Sequence, residues 1–256
     1  MTSLDVNENI QPFVKEIFLL ENEEDTAHNL PFYADGYPGI LYSETTEPIT
    51  LYPIEKSLPN FFLYGQTIVP IELRIKGGYK MIVFQLYPFA TRILLNINPK
   101  EINDACYDLE QVKEVDTKST VENLVTTEAS NQADIISNYI LQLVKSTSTD
   151  YDNSIKLAVS TIIKTKGTIS ITQLRNQLFI TERTFERKFL KEIGVTPKQF
   201  AKIIQFSFSL DQMKESDYTN FTNIAYENGF TDQSHFIRSF KKYTGGTPKE
   251  ILSKLG

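Results

Sequence analysis

Short apolar runs separated by turn-forming residues fill the first hundred positions of the chain. Runs rich in Tyr, Phe, Ile and Val are interrupted by Pro and Gly, as in FYADGYPGILYSE and TLYPIEKSLPNFFLYGQ. MIVFQLY is more continuously apolar and predicts a deeply buried strand. Such short strands are typical of an antiparallel barrel or sandwich. IVPIELRI shows the two-residue period of a strand, and its apolar face contains Val69, Ile71, Leu73 and Ile75.

Helical spacing replaces this pattern after the β-rich region. FATRILLNINPKEINDACYDLEQV predicts a short helix, a turn at Asn98-Pro99 and a second short helical stretch in which Cys106 is buried. Polar residues 113–131 lead into a helix predicted from about Asn131 to Lys145. This helix would either join two protomers or dock on its own β-domain. Its apolar face contains Ile135, Ile136, Tyr139, Ile140, Leu143 and Val144.

KSTSTDYDNS interrupts the helical pattern and is the predicted linker. The pattern after it predicts several helices separated by short turns, the first of which ends at Lys166-Gly167. The predicted fold class is therefore α+β with two domains. We expect a β-rich regulatory domain with short helices over residues 1–130, a connector or dimerisation helix with the linker over 131–150, and an all-α domain over 151–256.

Charge divides the chain in the same way. The 256 residues carry a net charge of −6. Residues 1–150 contain 10 Lys and Arg against 22 Asp and Glu, a balance of −12, whereas residues 151–256 contain 16 against 10, a balance of +6. A basic segment beside an acidic one indicates that the basic part meets a polyanion.

The remaining composition narrows the class of protein. One cysteine, Cys106, excludes a disulfide framework and a four-thiolate zinc site. The start MTSLDVNENIQPF has no basic leader with an apolar stretch, and no apolar run reaches the length of about 18 residues that spans a bilayer. We therefore expect a cytoplasmic protein without a membrane partner.

An internal repeat occupies the basic part. A shift of 51 positions aligns FERKFLKEIGVTPK (185–198) with FIRSFKKYTGGTPK (236–249), and eight of the fourteen positions agree. Each copy follows a short apolar helix and a threonine, Thr181 or Thr231, which is a good N-cap residue. The repeat therefore predicts two copies of a helix, a tight turn and a capped second helix.

The second helix of each copy has two faces. Phe185 and Phe189 in the first, and Phe236 and Phe240 in the second, are spaced to face inward. Arg and Gln, which lie on the opposite faces, can read guanine and adenine edges. For an isolated helix a solvated polar face would be the simpler interpretation, but duplication and basic charge favour helix-turn-helix units that bind double-stranded DNA. The predicted DNA-binding residues are Thr181, Arg183, Thr184, Glu186, Arg187, Lys188, Thr231, Gln233, Ser234, His235, Arg238, Lys241 and Lys242.

The block from about Ile155 to Lys254 resembles the DNA-binding domain of AraC/XylS-type transcription regulators. The resemblance is carried by TERTFERKFLKEIGVTPKQF, by the linking helix PKQFAKIIQFSFSLDQMK, and by IAYENGFTDQSHFIRSFKKYTGGTPKEI. It implies a sequence-specific transcription regulator in which a long helix joins two helix-turn-helix units, with RNA polymerase as a further partner. Glu186 departs from the expected chemistry, because a carboxylate accepts from a cytosine amino group but repels phosphate.

For the N-terminal half the resemblance implies a cupin-like β-barrel that binds an effector or mediates dimerisation. GQTIVPIEL through LYPFATRILLNINPKEINDACYDLEQV resembles an uncharacterised sensor-type domain found ahead of this DNA-binding domain. A homodimer and a small-molecule effector are therefore expected partners. A regulator without an effector, controlled by a protein partner or by abundance, is the alternative. The candidate anchors for an anionic effector are Arg74, Lys76, Lys80 and Arg92.

An enzyme is the competing class, since cupins include metal enzymes. A metal cupin needs clustered histidines, but the two in this chain, His28 and His235, fall in different predicted domains. Cys106 is flanked by acidic residues that would raise its pKa, so a reactive thiol is not expected. The sequence therefore predicts no cofactor, no metal and no enzymatic activity. Aromatic residues of the β-rich region would form either a ligand pocket or an ordinary core.

Overall fold

The chain folds into two compact units that are interleaved along the sequence. The computed structural model describes residues 1–113, 115–147, 152–215 and 221–255. Unit 1 comprises Met1–Pro31, Tyr37–Gly65 and Glu72–Tyr151. Unit 2 comprises Phe32–Gly36, Gln66–Ile71 and Asp152–Gly256.

The β-rich part contains two sheets, which confirms the predicted β-rich N-terminal fold. The larger sheet has the strand order β1-β2-β9-β4-β7-β10 with antiparallel neighbours, and the smaller has the order β3-β8-β5-β6. These described strands are β1 (Thr2–Leu4), β2 (Val14–Asn22), β3 (Ala27–Phe32), β4 (Gly39–Thr45), β5 (Thr50–Tyr52), β6 (Lys56–Ser57), β7 (Phe61–Tyr64), β8 (Ile71–Lys76), β9 (Tyr79–Leu86) and β10 (Cys106–Asp108).

Burial follows the predicted strand patterns in most places. β9 lies between two strands of the larger sheet, and Met81–Leu86 are buried on both faces, as the continuous apolar run predicts. In β8 the alternating pattern buries Leu73 and Ile75. Val69 lies before the strand begins and is exposed, so its predicted place on the apolar face is wrong.

Several short helical segments precede residue 132. Helix α1 (Ala90–Leu95) and a 3₁₀ turn at Pro99–Ile102 confirm the short helix and the turn. The helical prediction for Cys106 is wrong, because Cys106 pairs with Tyr64 in the edge strand β10. The structure also contains helix α2 (Thr117–Thr126), which the polar sequence did not suggest. Its N-cap is Asp116, whose side chain accepts from the backbone N–H of Ser119 at 3.0 Å.

Helix α3 (Gln132–Ser146) covers the larger sheet of unit 1 with its apolar face. The Tyr139 ring meets the Phe61 ring edge-on at 5.2 Å, and its hydroxyl lies 3.1 Å from the Thr117 hydroxyl. Gln132 is buried and donates to the Leu124 carbonyl at 2.9 Å. The prediction that this face joins two protomers is therefore wrong, because the face is filled by the unit's own core. Its fully buried residues are Ile136, Tyr139, Ile140 and Leu143.

Unit 2 contains the helices described after residue 152, and it confirms the predicted all-α C-terminal fold. The predicted linker falls partly on residues 148–151, which lie outside the described residues. The helices are α4 (Asn153–Lys164), α5 (Ile171–Gln177), α6 (Glu182–Ile193), α7 (Pro197–Glu215), α8 (Phe221–Glu227), α9 (Gln233–Thr244) and α10 (Pro248–Leu255). None of the described helices is both long enough and apolar enough to cross a bilayer.

Docking of α3 can be tested by deleting part of one buried side chain. Ile140→Ala should lower the free energy of unfolding of unit 1 by about 2–5 kcal/mol, because it leaves a cavity in a filled core. Val125 lies on α2 with its side chain 66% exposed, so Val125→Ala is a control expected to change stability by about 0.5 kcal/mol or less. Urea unfolding measures both variants. Equal, small effects would contradict the docked position of α3.

Candidate nucleic-acid interface

The first helix-turn-helix unit consists of α5, a four-residue turn and α6. Ser170 caps α5 by accepting from the backbone N–H of Gln173. Thr181 occupies the predicted N-cap position of α6, but its hydroxyl donates to the Thr184 hydroxyl at 3.0 Å instead of capping the backbone. Glu182 places a negative charge in the first turn, where the helix dipole favours it.

The second unit consists of α8, a turn that is one residue longer, and α9. The predicted N-cap Thr231 is wrong. Asp232 caps α9, and its side chain accepts from the backbone N–H of His235 at 2.7 Å. The repeat offset of 51 explains this, because it places Asp232 opposite Thr181. The prediction paired Thr231 with Thr181, but the second turn is one residue longer, so the N-cap position falls on Asp232.

Equivalent aromatic residues fix both second helices to the long helix α7. In the first unit the Phe189 ring packs 5.7 Å from the Phe200 ring of α7. In the second unit the Phe240 ring packs 5.0 Å from the Phe206 ring of the same helix. All four rings are fully buried. The inward orientation predicted for Phe185, Phe189, Phe236 and Phe240 is therefore confirmed.

The opposite faces of α6 and α9 carry the predicted DNA-binding side chains. Each unit brings its own set to one helix and the adjoining turn. Thr184, Lys188 and His235 are half-buried. The exposed members are Thr181, Arg183, Glu186 and Arg187 in the first unit and Thr231, Gln233, Ser234, Arg238, Lys241 and Lys242 in the second.

Several of these side chains have partners inside unit 2. The Lys188 ammonium lies 2.7 Å from an Asp152 carboxylate oxygen. The His235 ring meets the Phe230 ring edge-on at 5.4 Å. The Lys242 ammonium lies 4.8 Å from the centre of the Tyr243 ring. These contacts restrict the rotamers that the basic side chains adopt before any ligand binds.

Asp152, which the sequence reading did not single out, links α4 to α6. Burial raises the pKa of its carboxyl group. Hydrogen bonds from Lys188 and Ser154, together with the charge of Lys188, lower the pKa by more than burial raises it, so the pKa lies below its ordinary value. The same carboxylate accepts from the backbone N–H of Ser154 at 3.0 Å as the N-cap of α4. The ionised Asp152 therefore stabilises a helix start and holds Lys188 at once.

A cavity of about 440 Å³ lies beside α6. Its lining includes apolar side chains such as Phe185 and charged groups, among them Arg175 and Glu182, which lie 3.7 Å apart. Lys198 and Lys202 of α7 also line it and are exposed. The sequence reading missed these two lysines because it treated the linking helix as scaffold. Their spacing of four residues, which puts them on one face of the helix, was the available signal.

The structure gives Cys106 no activating surroundings. Burial raises the pKa of its thiol to about 12, and the nearby Lys56 lowers it only in part. Within the described ranges, no group of three or more His, Cys, Asp or Glu side chains could hold a metal ion.

Comparisons with known proteins match the two parts of the chain separately. Residues 174–254 match the family described as helix-turn-helix domain, and residues 6–108 match a domain of unknown function, DUF6597. The HTH-type transcriptional activator RhaS of Escherichia fergusonii is 26% identical over 83 residues, which are 32% of this chain and 30% of that protein. RhaS of Yersinia pestis (strain Pestoides F) is 29% identical over 83 residues, with the same coverage. This chain thus matches less than a third of the length of each activator.

Solved structures resemble the whole fold. ToxT from Vibrio cholerae O395 superposes with a TM-score of 0.52 at 16% identity, covering 93% of this chain and 97% of ToxT. Wild-type ToxT from V. cholerae strain SCE256, bound to an unsaturated fatty acid, superposes with a TM-score of 0.51 at 16% identity, covering 97% and 96%. At this identity the likeness shows a shared fold, with a β-domain followed by a helix-turn-helix domain.

The turn of the first unit contains a residue with a strained backbone, and a substitution can relieve this strain. Phe179 has a φ of 55° and a side chain 96% exposed. Phe179→Gly should raise the free energy of unfolding by about 1 kcal/mol, because glycine adopts this left-handed conformation without a Cβ penalty. Phe179→Ala keeps the penalty and is the matched control. Thermal unfolding in which the glycine variant is no more stable than the alanine variant would contradict the assigned turn.

The Asp152 carboxylate should give unit 2 a measurable pH dependence. Its folded-state pKa is below the ordinary value, so its stabilising contribution is present above that ordinary value, about 3.9, and is lost as the pH falls through the lower folded value. Asp152→Asn should therefore be less stable than the parent at neutral pH, with a difference that shrinks under acid conditions. Asp134→Asn, at an exposed acid of α3, controls for the lost charge. A difference independent of pH would rule out the assigned role.

Proposed function

We propose that this chain, whose residues 174–254 match a helix-turn-helix domain, is a sequence-specific DNA-binding transcription regulator of the AraC type. One observation carries the proposal. Two second helices, α6 and α9, are fixed to the same helix α7 by equivalent buried phenylalanines and present Arg and Gln side chains outward. Rigid helices with such side chains are suited to the major groove.

We assign base contacts to the exposed outer faces of α6 and α9. Arg183, Arg187 and Arg238 would bind guanine edges, and Gln233 would bind an adenine edge, because these side chains form bidentate hydrogen bonds with those bases. Glu186 would accept from a cytosine amino group. The Gln233 amide oxygen already accepts from the Thr222 hydroxyl at 3.3 Å, which orients its amide before DNA binds. Ser234 and His235 begin the same helix and belong to the proposed contact surface.

Backbone contacts come from the lysines around these helices. Lys241 and Lys242 lie in the last turn of α9, and Lys198 and Lys202 project from α7. Exposed lysines suit phosphates because they act as point charges without base preference. Lys188 remains in the proposed set, but it must exchange Asp152 for a phosphate to contribute.

The two recognition helices should enter successive major grooves on one side of the duplex. Helices held by one rigid linker sit about 34 Å apart when they read two adjacent turns. One protomer would then cover close to two helical turns.

For unit 1 we propose a regulatory role with two forms. A small-molecule effector is supported by the shared fold with ToxT, of which one structure contains an unsaturated fatty acid. Control by a protein partner or by abundance is the alternative. It is supported because three of the candidate anchors for an anionic effector already contact other side chains of unit 1. The Arg74 guanidinium lies 3.5 Å from the Tyr52 ring centre, Lys76 pairs with Glu47 at 2.8 Å, and Lys80 donates to Gln132 at 2.6 Å.

The proposal includes a homodimer, contact with RNA polymerase, a cytoplasmic location and the absence of enzymatic activity. The raised pKa of the Cys106 thiol supports a non-enzymatic role, because a protonated thiol is a poor nucleophile. Any dimer must use a surface other than the buried face of α3.

The assignment can be tested by selecting binding sites from random DNA with the full chain and then measuring variants on the selected site. Arg187→Ala and Arg238→Ala should each weaken specific binding by about 1–3 kcal/mol and relax preference at one base pair, because each loses a bidentate contact. Lys164→Ala, an exposed lysine on α4, is the charge-matched control.

Two results would count against this function. Failure to enrich any sequence would contradict sequence-specific binding. Equal losses for the arginine variants on selected and random DNA would place both arginines on phosphates, which contradicts their assignment as base readers.

A further inference from the structure

Two short segments far from the helix-turn-helix domain in sequence belong to unit 2. Residues Phe32–Gly36 and Gln66–Ile71 fold with Asp152–Gly256, although the residues on both sides of each segment belong to unit 1. Both segments fall within residues 6–108, the region that matches a domain of unknown function. Neither is part of the matched helix-turn-helix domain.

Gln66 meets the end of the first recognition helix. Its side chain is 2% exposed, and its amide nitrogen donates to the Ile193 carbonyl at 2.9 Å. Ile193 is the last residue of α6 and is itself fully buried. The last carbonyls of a helix have no partner within the helix. Gly194 satisfies Leu190 through a backbone bond of 2.9 Å, and Gln66 supplies the donor for Ile193.

The other segment, Phe32–Gly36, packs against α7. Ala34 is fully buried in the same core as Phe206 and Phe240. Gly36 has a φ of +83°, and a Cβ atom there would lie 2.9 Å from Ile204 and 3.0 Å from Phe200. The segment thus packs on the helix that carries both recognition helices, with no space for a larger residue at Gly36.

We infer that Gln66 is a positioning residue of the DNA-binding unit, which holds the C-terminal end of α6 in the orientation that reads bases. The inference rests on the proposed function. Phe185 and Phe189 anchor the middle of α6, and Ile193 is buried at its end. The hydrogen bond from Gln66 adds a directional contact that holds the Ile193 carbonyl in place. Base readout tolerates displacements of only about 0.5 Å. The first half-site is therefore read accurately only when the segment around Gln66 is in place.

The test compares full-length Gln66→Met with the parent on two half-sites. Methionine keeps the side-chain length but cannot donate, so the buried Ile193 carbonyl loses its partner. The half-site that loses base preference in Arg187→Ala is the one read by α6. Gln66→Met should weaken discrimination at that half-site about tenfold, which corresponds to about 1.4 kcal/mol, and should leave discrimination at the α9 half-site unchanged. Gln11→Met, at an exposed glutamine, is the matched control.

Hydrogen exchange tests the same contact without DNA. Amides of the last turn of α6, residues 190–194, should exchange faster in Gln66→Met than in the parent or the control, because that turn opens locally. If the parent chain binds no specific DNA, the proposed function fails, while the exchange result still decides whether Gln66 holds α6.

Two results would overturn the inference. One is an equal loss of binding affinity on both half-sites and on random DNA. Such a loss would mean that the variant lowers the folded fraction, which weakens all DNA binding alike, and does not position α6. The other is unchanged exchange at residues 190–194. If Gln66→Met does not fold, Gln66→Asn, which keeps a shorter donor, should give smaller changes in the same direction in both measurements. Parental behaviour of Gln66→Asn in both measurements would then overturn the inference.

Discussion

One helix carries both recognition helices, and the rest of unit 2 depends on that constraint. Phe200 and Phe206 lie six positions apart on α7, and each packs against a phenylalanine of a different recognition helix. Six helical residues rise about 9 Å and rotate the helix by about one and two-thirds turns, so the two anchors project from different sides of one stiff helix. A change in α7 at either anchor would move a reading surface, which explains why both contacts are made by fully buried aromatic rings.

Charge is organised around the same helices. The −12 and +6 balances of the two parts of the sequence separate a part without a DNA-reading motif from a part that contains two. Within unit 2, Asp152 holds Lys188, and Arg175 lies near Glu182. In unit 1, basic side chains such as Lys76 are paired with acidic neighbours. The arginines of α6 and α9, by contrast, are exposed on the surface that we assign to DNA.

Much of this arrangement could be predicted from the sequence because periodic patterns report local structure. The inward phenylalanines and the strand β9 follow from spacing and the repeat, and the long linking helix follows from the resemblance to the AraC/XylS-type domain. The strand at Cys106 could not be predicted, because three residues carry no period and the strand exists only by pairing with β7. Asp232 was missed through a one-residue difference between two turns. Gln66 meets Ile193 across 127 positions, a distance that no local pattern spans. The base contacts that we assign to α6 and α9 are predictions from side-chain chemistry and exposure.

Hydroxyl-radical footprinting of the full chain on its selected site tests the central claim most directly, because it maps where one protomer meets the sugar-phosphate backbone. Two recognition helices held by α7 predict two protected segments for each protomer, about 10 base pairs apart and on the same face of the duplex. A single protected segment for each protomer, or two segments on opposite faces, would contradict the account.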